Sequence, residues 1–154
     1  MIALGGGGHT YEICKLIEKL GKFDYIYVLN HDDKLSENLI PFPGKIYRIV
    51  RPRKIGENLI KIFIKTFISF IQSLFLLFLT KPKVIIGNGP ALNLPLFYAG
   101  KILGVRLIFI ESVCRVYRLS LTGKLVHRIV DLFFVQWKEL KNKYSRVIYA
   151  GRIV

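Results

Sequence analysis

Four consecutive glycines, Gly5–Gly8, stand between the apolar run Met1–Leu4 and a segment of helical periodicity, and no other feature narrows the possible folds as much. Glycine loses more conformational freedom on folding than any other residue. Such a run persists where the backbone must turn through conformations closed to side chains, or must let another group approach. From Thr10 onward, Ile13, Leu16, Ile17 and Leu20 recur at helical spacing, and Gly21 ends the pattern. Tyr25–Leu29, YIYVL, then reads as a strand. Strand, glycine turn, helix and strand make a βαβ unit, which commits the chain to a parallel sheet.

The alternation continues. Lys45–Val50 is a third strand behind the Pro41, Pro43, Gly44 loop, Pro82–Asn88 a fourth, Arg106–Ser112 a fifth and Leu132–Gln136 a sixth, and VIYAG at 147–151 completes the series. PKVIIGN is almost wholly apolar, as a strand covered on both faces must be. Helices are predicted over LNLPLFYAGKILG, ending at Gly104, and over LTGKLVHRIVD. Over 154 residues this pattern predicts a single α/β domain built on a doubly wound parallel sheet.

One segment interrupts it. Glu57–Thr80 is a long apolar helix whose polar residues Glu57, Lys61, Lys65, Ser69 and Ser73 fall at i, i+4 spacing, a narrow stripe on one side. Its length suffices to cross a bilayer. Topology forbids the crossing, because the strands before and after it belong to one sheet and so both its ends lie on one side. It is expected to lie in a membrane interface with its apolar surface down, through Phe63, Phe67, Phe70, Phe75 and Phe78. Lys54, Lys61, Lys65, Lys81 and Lys83 would then reach acidic head groups. A core helix or a subunit contact stays open as the alternative.

Charge points the same way. Lys and Arg total 24 against ten acids, a formal net charge of +14. That surplus must face nucleic acid, a phosphorylated ligand or an anionic membrane. A mean hydropathy of +0.39 favours the membrane, and no nucleic-acid motif is present. The two cysteines, Cys14 and Cys114, form no CxxC pair and read as small buried hydrophobes of a reduced, cytoplasmic protein, with no secretory signal ahead of the glycines. His9, His31 and Cys14 lack metal-ligand spacing, so neither a metal nor a cofactor is expected.

A strand that ends in glycines and opens a helix presents backbone N–H groups at the positive end of the helix dipole, a site for phosphate. The run is not a dinucleotide fingerprint, since Thr10 stands where the last glycine belongs. Asp32 and Asp33 nonetheless lie where a ribose-binding acid would be, which keeps an NAD-binding oxidoreductase as a remote alternative. His9, beside a bound phosphate, is a candidate general base on a sugar hydroxyl or a donor to a phosphate oxygen; a local capping bond is the alternative. A second turn, Gly87–Pro90 (GNGP), also leaves a buried strand and opens a helix, with Pro90 suited to the first helical turn. Two such turns at the carboxyl ends of neighbouring strands define one crevice. After the fifth strand, Glu111 is placed to bind sugar hydroxyls or take a proton, and Ser112, Arg115 and Arg118 follow. The arginines suit phosphate, or a salt bridge with Glu111.

With GGGGHT, GNGP and the long ordered string from IESVCRVYRLSLTGKL through DLFFVQW to the terminal GRIV, the chain resembles the Alg14 family and its bacterial polysaccharide-synthesis relatives of the PssD type, over essentially its whole length. The resemblance implies the Rossmann-like N-terminal half of a split GT-B glycosyltransferase, similar to the acceptor half of single-chain MurG. It implies attachment to the cytoplasmic face of a cell or endoplasmic reticulum membrane and a polyprenyl- or dolichyl-diphosphate sugar as acceptor. It also implies an Alg13-like partner that binds the UDP-GlcNAc-type donor. On this resemblance Gly6, Gly7, Gly8, His9 and Thr10 form the acceptor diphosphate turn, Asn88, Gly89 and Pro90 the second turn, and Glu111, Ser112 and Arg115 the floor of the sugar site. His9 and Glu111 are the catalytic candidates. Two departures stand out: the chain opens directly on its first strand where many eukaryotic members carry an N-terminal anchor, and the second turn reads GNGPALNLP where they often carry NGPGT. A single domain with no donor pocket of its own is expected to be inactive alone, with the apolar GRIV tail docking on its partner. A non-catalytic membrane scaffold for that partner is the second reading.

Overall fold

The computed structural model describes residues 1–154. Seven strands, β1 (Ile2–Leu4), β2 (Tyr25–Asn30), β3 (Gly44–Ile49), β4 (Val84–Asn88), β5 (Arg106–Ile110), β6 (Leu132–Val135) and β7 (Ile148–Tyr149), pair in parallel in the order β3-β2-β1-β4-β5-β6-β7. The order reverses between β1 and β4, where Ile2 pairs with Ile86 and Ala3 with Gly87. Connections leaving this point in opposite directions diverge above the sheet and open a cleft at the carboxyl ends of the two strands.

Five α-helices, α1 (Gly7–Leu20), α2 (Leu59–Thr80), α3 (Asn93–Ile102), α4 (Leu121–Val126) and α5 (Lys138–Lys143), and a 3-10 turn at Ser36–Leu39 connect the strands. Alternate strand residues serve opposite faces. Ile2, Leu4, Tyr27 and Leu29 pack with Ile13, Cys14 and Ile17 of α1. Ala3, Val28, Ile85, Leu107, Phe109 and Phe133 belong to the larger core on the other face, completed by Leu76, Leu77, Leu96, Phe97, Val126 and Leu140 from α2 to α5. On the first face, Ile86, Ile108, Ile110 and Phe134 line a groove that 150–153 run beside. The tail rests on this chain's own sheet, with the Ile153 N–H donating to Gln136 Oε1 at 2.9 Å and Arg152 lying over the Trp137 ring.

Several boundaries differ from expectation. α1 starts at Gly7, inside the glycine run, rather than at Thr10. Pro90 lies outside α3, whose first residue is Asn93. α5 was not anticipated, because its six residues are too few for a periodic signal. Cys14 is buried as expected, but Cys114 is exposed on the loop after β5.

The apolar helix α2 is turned inside out relative to a soluble amphipathic helix. Its small polar residues face the protein: Ser69 and Ser73 are fully buried with Leu76 and Leu77, and Ser73 Oγ donates to Ser69 O at 2.7 Å, which satisfies the hydroxyl within the helix. Gln72 Oε1 accepts from the Val50 N–H at the end of β3. The bulky side chains face out, with Phe63, Phe75 and Phe78 at 74, 71 and 70% exposure and Leu59, Ile64, Phe67, Ile71 and Leu79 also exposed. Isolated exposed apolar residues are ordinary, whereas a contiguous apolar face along a 22-residue helix marks an interaction surface. Three expected members of that face are reassigned. Phe70 is half-buried against the core. Lys65 pairs with Glu57, and Lys54 shares Asp32 with Arg51 at 2.8 Å, so both lysines already have an acidic partner within the chain. Lys61 is exposed and forms no ion pair.

Candidate functional site

The two glycine turns meet at the cleft between β1 and β4. Gly5 lies so close to Pro90 that a Cβ on it would fall 1.8 Å from Pro90 Cγ. Gly89 carries φ +53°, and a Cβ there would sit 2.3 Å from His9 Cε1. Glycine at 89 therefore serves both a left-handed backbone and the packing of an imidazole flat against it. Asn88 locks the same contact from the other side, its Nδ2 donating to His9 O at 3.0 Å. Gly7 and Gly8 are exposed, with open space where their side chains would be. As the first residues of α1 they present N–H groups that have no partner within the helix. The Gly6 N–H is already taken by Thr10 Oγ1 at 3.0 Å.

Beneath the turns, the floor that includes Ser112 is built on a buried acid, Glu12, that the sequence did not point to. Glu12, 4% exposed, accepts from Ser112 Oγ at 2.9 Å, Asn88 Nδ2 at 3.2 Å, the Val113 N–H at 3.2 Å and Gln136 Nε2 at 3.4 Å. One carboxylate from α1 thus ties together the segments leaving β4, β5 and β6. It shows in the sequence only as a polar residue amid the apolar helix pattern, one turn after His9. Glu12→Ala strands several buried donors at once, and a loss of roughly 2–4 kcal/mol in urea-unfolding free energy is expected, with Glu12→Gln costing less.

His9 lies where the two turns meet and is half-buried. Its Nδ1 is buried without a hydrogen-bond partner. Burial holds the imidazole pKa below its ordinary value; the negative charge of Glu12 raises it in part and the nearby Arg115 guanidinium lowers it further. The ring is accordingly neutral at pH 7. Arg115 and Arg118 are exposed and form no ion pair, so the salt bridge with Glu111, the alternative to a phosphate role, is absent. The Arg115 charge is still felt at both His9 and Glu111.

Glu111 is turned inward. It is fully buried, and its two oxygens accept from the Ser112 N–H at 3.0 Å and from the Ser120 N–H and Oγ at 2.8 and 3.1 Å. A Cβ on Gly123 would strike Glu111 Oε2 at 2.3 Å, so the carboxylate lies under the start of α4 and away from the crevice. Burial raises its pKa against the pull of those bonds. Ser112 is likewise engaged inward with Glu12, and Thr10 Oγ1 lies 2.8 Å from Ser36 Oγ. These groups hold the crevice together. The acids once open to a ribose are also engaged. Asp33 accepts from the Ser36 N–H and Oγ at 3.0 and 2.6 Å. Asp32 is paired with Arg51 and Lys54, whose bonds overcome partial burial and hold its carboxyl at about 2.

The architecture recurs in solved structures. Acinetobacter baumannii MurG superposes with TM-score 0.72 at 14% identity, covering 98% of this chain and 44% of that one. A UDP-GlcNAc 2-epimerase from Methanocaldococcus jannaschii, solved with UDP-GlcNAc and UDP, gives 0.70 at 16%, covering 98% and 46%. This chain thus spans less than half of either protein, and at these identities the likeness concerns the fold alone. The class is a Rossmann-like domain of the kind found in GT-B glycosyltransferases and UDP-sugar epimerases. Within that class the chain belongs to the Alg14 family: the sequence model described as "Oligosaccharide biosynthesis protein Alg14 like" matches residues 1–153. It is 32% identical over 178 residues to the mouse protein named UDP-N-acetylglucosamine transferase subunit ALG14, covering all of this chain and 82% of that one. The Candida albicans protein of the same name is 36% identical over 168 residues, covering 99% and 77%.

Proposed function

We propose that this chain is the acceptor-binding subunit of a two-subunit glycosyltransferase that moves GlcNAc from UDP-GlcNAc to a sugar on polyprenyl or dolichyl diphosphate. It sits on the cytoplasmic face of a membrane through α2, as a single domain completed by an Alg13-like donor-binding subunit. The observation that carries the reading is the shared crevice: an anion-ready helix start, a second glycine turn and an unpaired arginine converge around one neutral imidazole. The names of the similar eukaryotic proteins supply the donor.

In this mechanism the Gly7 and Gly8 N–H groups, the positive end of α1 and Arg115 hold the diphosphate. Gly6 and Thr10 fix the turn's shape, and Asn88, Gly89 and Pro90 wall the other side. His9 accepts the proton of the acceptor hydroxyl while that oxygen attacks the anomeric carbon and UDP departs from the partner's site, so the reaction inverts. Ser112 and Glu111 act from below as supports of the loop that carries Arg115.

The test is reconstitution of the purified chain with the donor-binding subunit on liposomes containing a GlcNAc-diphosphate-polyprenol. Transfer from UDP-GlcNAc is expected with both subunits together and with neither alone. An isolated chain that ignores the lipid acceptor, while its partner alone transfers sugar once brought to the membrane, would establish the scaffold reading instead.

A further inference from the structure

Between α2 and α3 runs an apolar groove of about 330 Å³. One wall is Phe63, Thr66, Phe67 and Phe70 of α2, and the opposite wall is Leu94, Pro95 and Tyr98 of α3. The α2 residues follow i, i+3, i+4, i+7 spacing, so this wall extends for about 10 Å along the helix. The volume is at the lower end of the usual range for ligand pockets, about 300–1,000 Å³.

Three observations define what fits there. The two polar groups in the walls are engaged inward: Thr66 Oγ1 donates to Ile62 O at 2.7 Å and Tyr98 OH to Leu125 O at 3.2 Å. A hydrocarbon laid along the groove therefore leaves no buried polar group unsatisfied. One rim opens onto the exposed apolar face of α2, through Phe63 and Phe67. The third observation is position. Asn93, next to the groove residues Leu94 and Pro95, donates through Nδ2 to Asn88 O at 2.9 Å and Pro90 O at 3.2 Å. The groove thus begins within about one helical turn of the second glycine turn.

We propose that this groove holds the first isoprene units of the acceptor's hydrocarbon chain as it leaves the diphosphate for the membrane. The inference rests on the acceptor reading above and adds a second contact that the diphosphate turns do not supply. Burial of apolar chain in the groove tightens binding independently of the phosphate contacts, and the bond between the two parts fixes which end of the lipid enters the crevice.

The test titrates the full chain, without membrane, with inorganic diphosphate, geraniol and geranyl diphosphate, and repeats each titration with Thr66→Trp, whose indole fills the groove. Geranyl diphosphate is expected to bind at least about a hundredfold tighter than inorganic diphosphate, from burial of a few methylene-sized groups. Thr66→Trp removes that advantage, and the affinity for inorganic diphosphate stays unchanged. Phe67→Ser, which widens the groove, serves as the second variant should Thr66→Trp melt early, and it weakens geranyl diphosphate selectively. Equal affinities for the two diphosphates, or variants that leave geranyl diphosphate untouched, overturn the groove while the diphosphate site stands. Failure of both diphosphates to bind overturns the acceptor reading and the groove with it. A change in sedimentation coefficient on Thr66→Trp with no change in either diphosphate affinity assigns the groove to a second copy of the chain, against the proposal.

Discussion

His9→Ala is expected to lower turnover of the reconstituted transferase by about 10²–10⁴-fold, the range lost with a positioned base. Binding of the lipid acceptor and the partner should persist, because the backbone carbonyl that receives Asn88 remains. The pH dependence separates a base from a charged imidazolium. Burial lowers the His9 pKa below its ordinary value, so the proton-free ring that a base requires is still present on the acid side of 6.5. The acid limb of kcat should accordingly fall below 6.5 and vanish in His9→Ala. A role that requires the charged imidazolium predicts the opposite, with activity rising as pH falls toward the folded value. Stability carries the same sign. The unfolded chain takes up the histidine proton first, so the contribution of His9 is complete above 6.5 and is lost as pH drops from 6.5 to its depressed folded value. Normal turnover in His9→Ala would place the base elsewhere. Glu111 is then the weaker candidate, since reaching a bound hydroxyl requires it to leave three hydrogen bonds.

The second large effect concerns attachment. Substituting Phe63, Phe75 and Phe78 together by aspartate is expected to reduce binding to anionic liposomes by on the order of a thousandfold, as three partly inserted rings are removed and like charge is placed at the surface. Unfolding free energy should change by less than about 1 kcal/mol, because all three rings are exposed in the folded chain. Co-sedimentation with vesicles alongside urea unfolding measures both. Retained vesicle binding would move the membrane contact away from α2. Retained vesicle binding with loss of the donor-binding subunit would identify the same face as a subunit contact, the alternative that the apolar pattern left open.

The order of strands and helices was legible along the chain because each strand of a buried parallel sheet is a short apolar run between turn residues, and such runs survive projection onto one dimension. The glycine turns were legible too, since the backbone at 5–8 and 87–90 must do what side chains forbid. Short elements were less so: α5 was missed, and α4, expected over 121–131, ends at Val126, because packing against the strands rather than period sets their extent. The outward aim of Phe63, Phe67, Phe75 and Phe78 on α2 was legible, but a core helix stayed open, and only the packing of α2 on α3 and β3 makes Ser69 and Ser73 the inner side.

At the crevice the division is sharper. Residue identity placed a histidine, glycines and an arginine at strand ends, and those positions follow from chain order alone. Which of the neighbouring acids turns inward does not. Glu111, adjacent to the crevice in sequence, is drawn under α4 by donors at Ser112 and Ser120, whereas Glu12, hidden within a helix, gathers donors from segments as distant as Gln136. Hydrogen-bond partners far apart along the chain meet only after the sheet has closed, so the aim of each carboxylate is a property of the assembled fold.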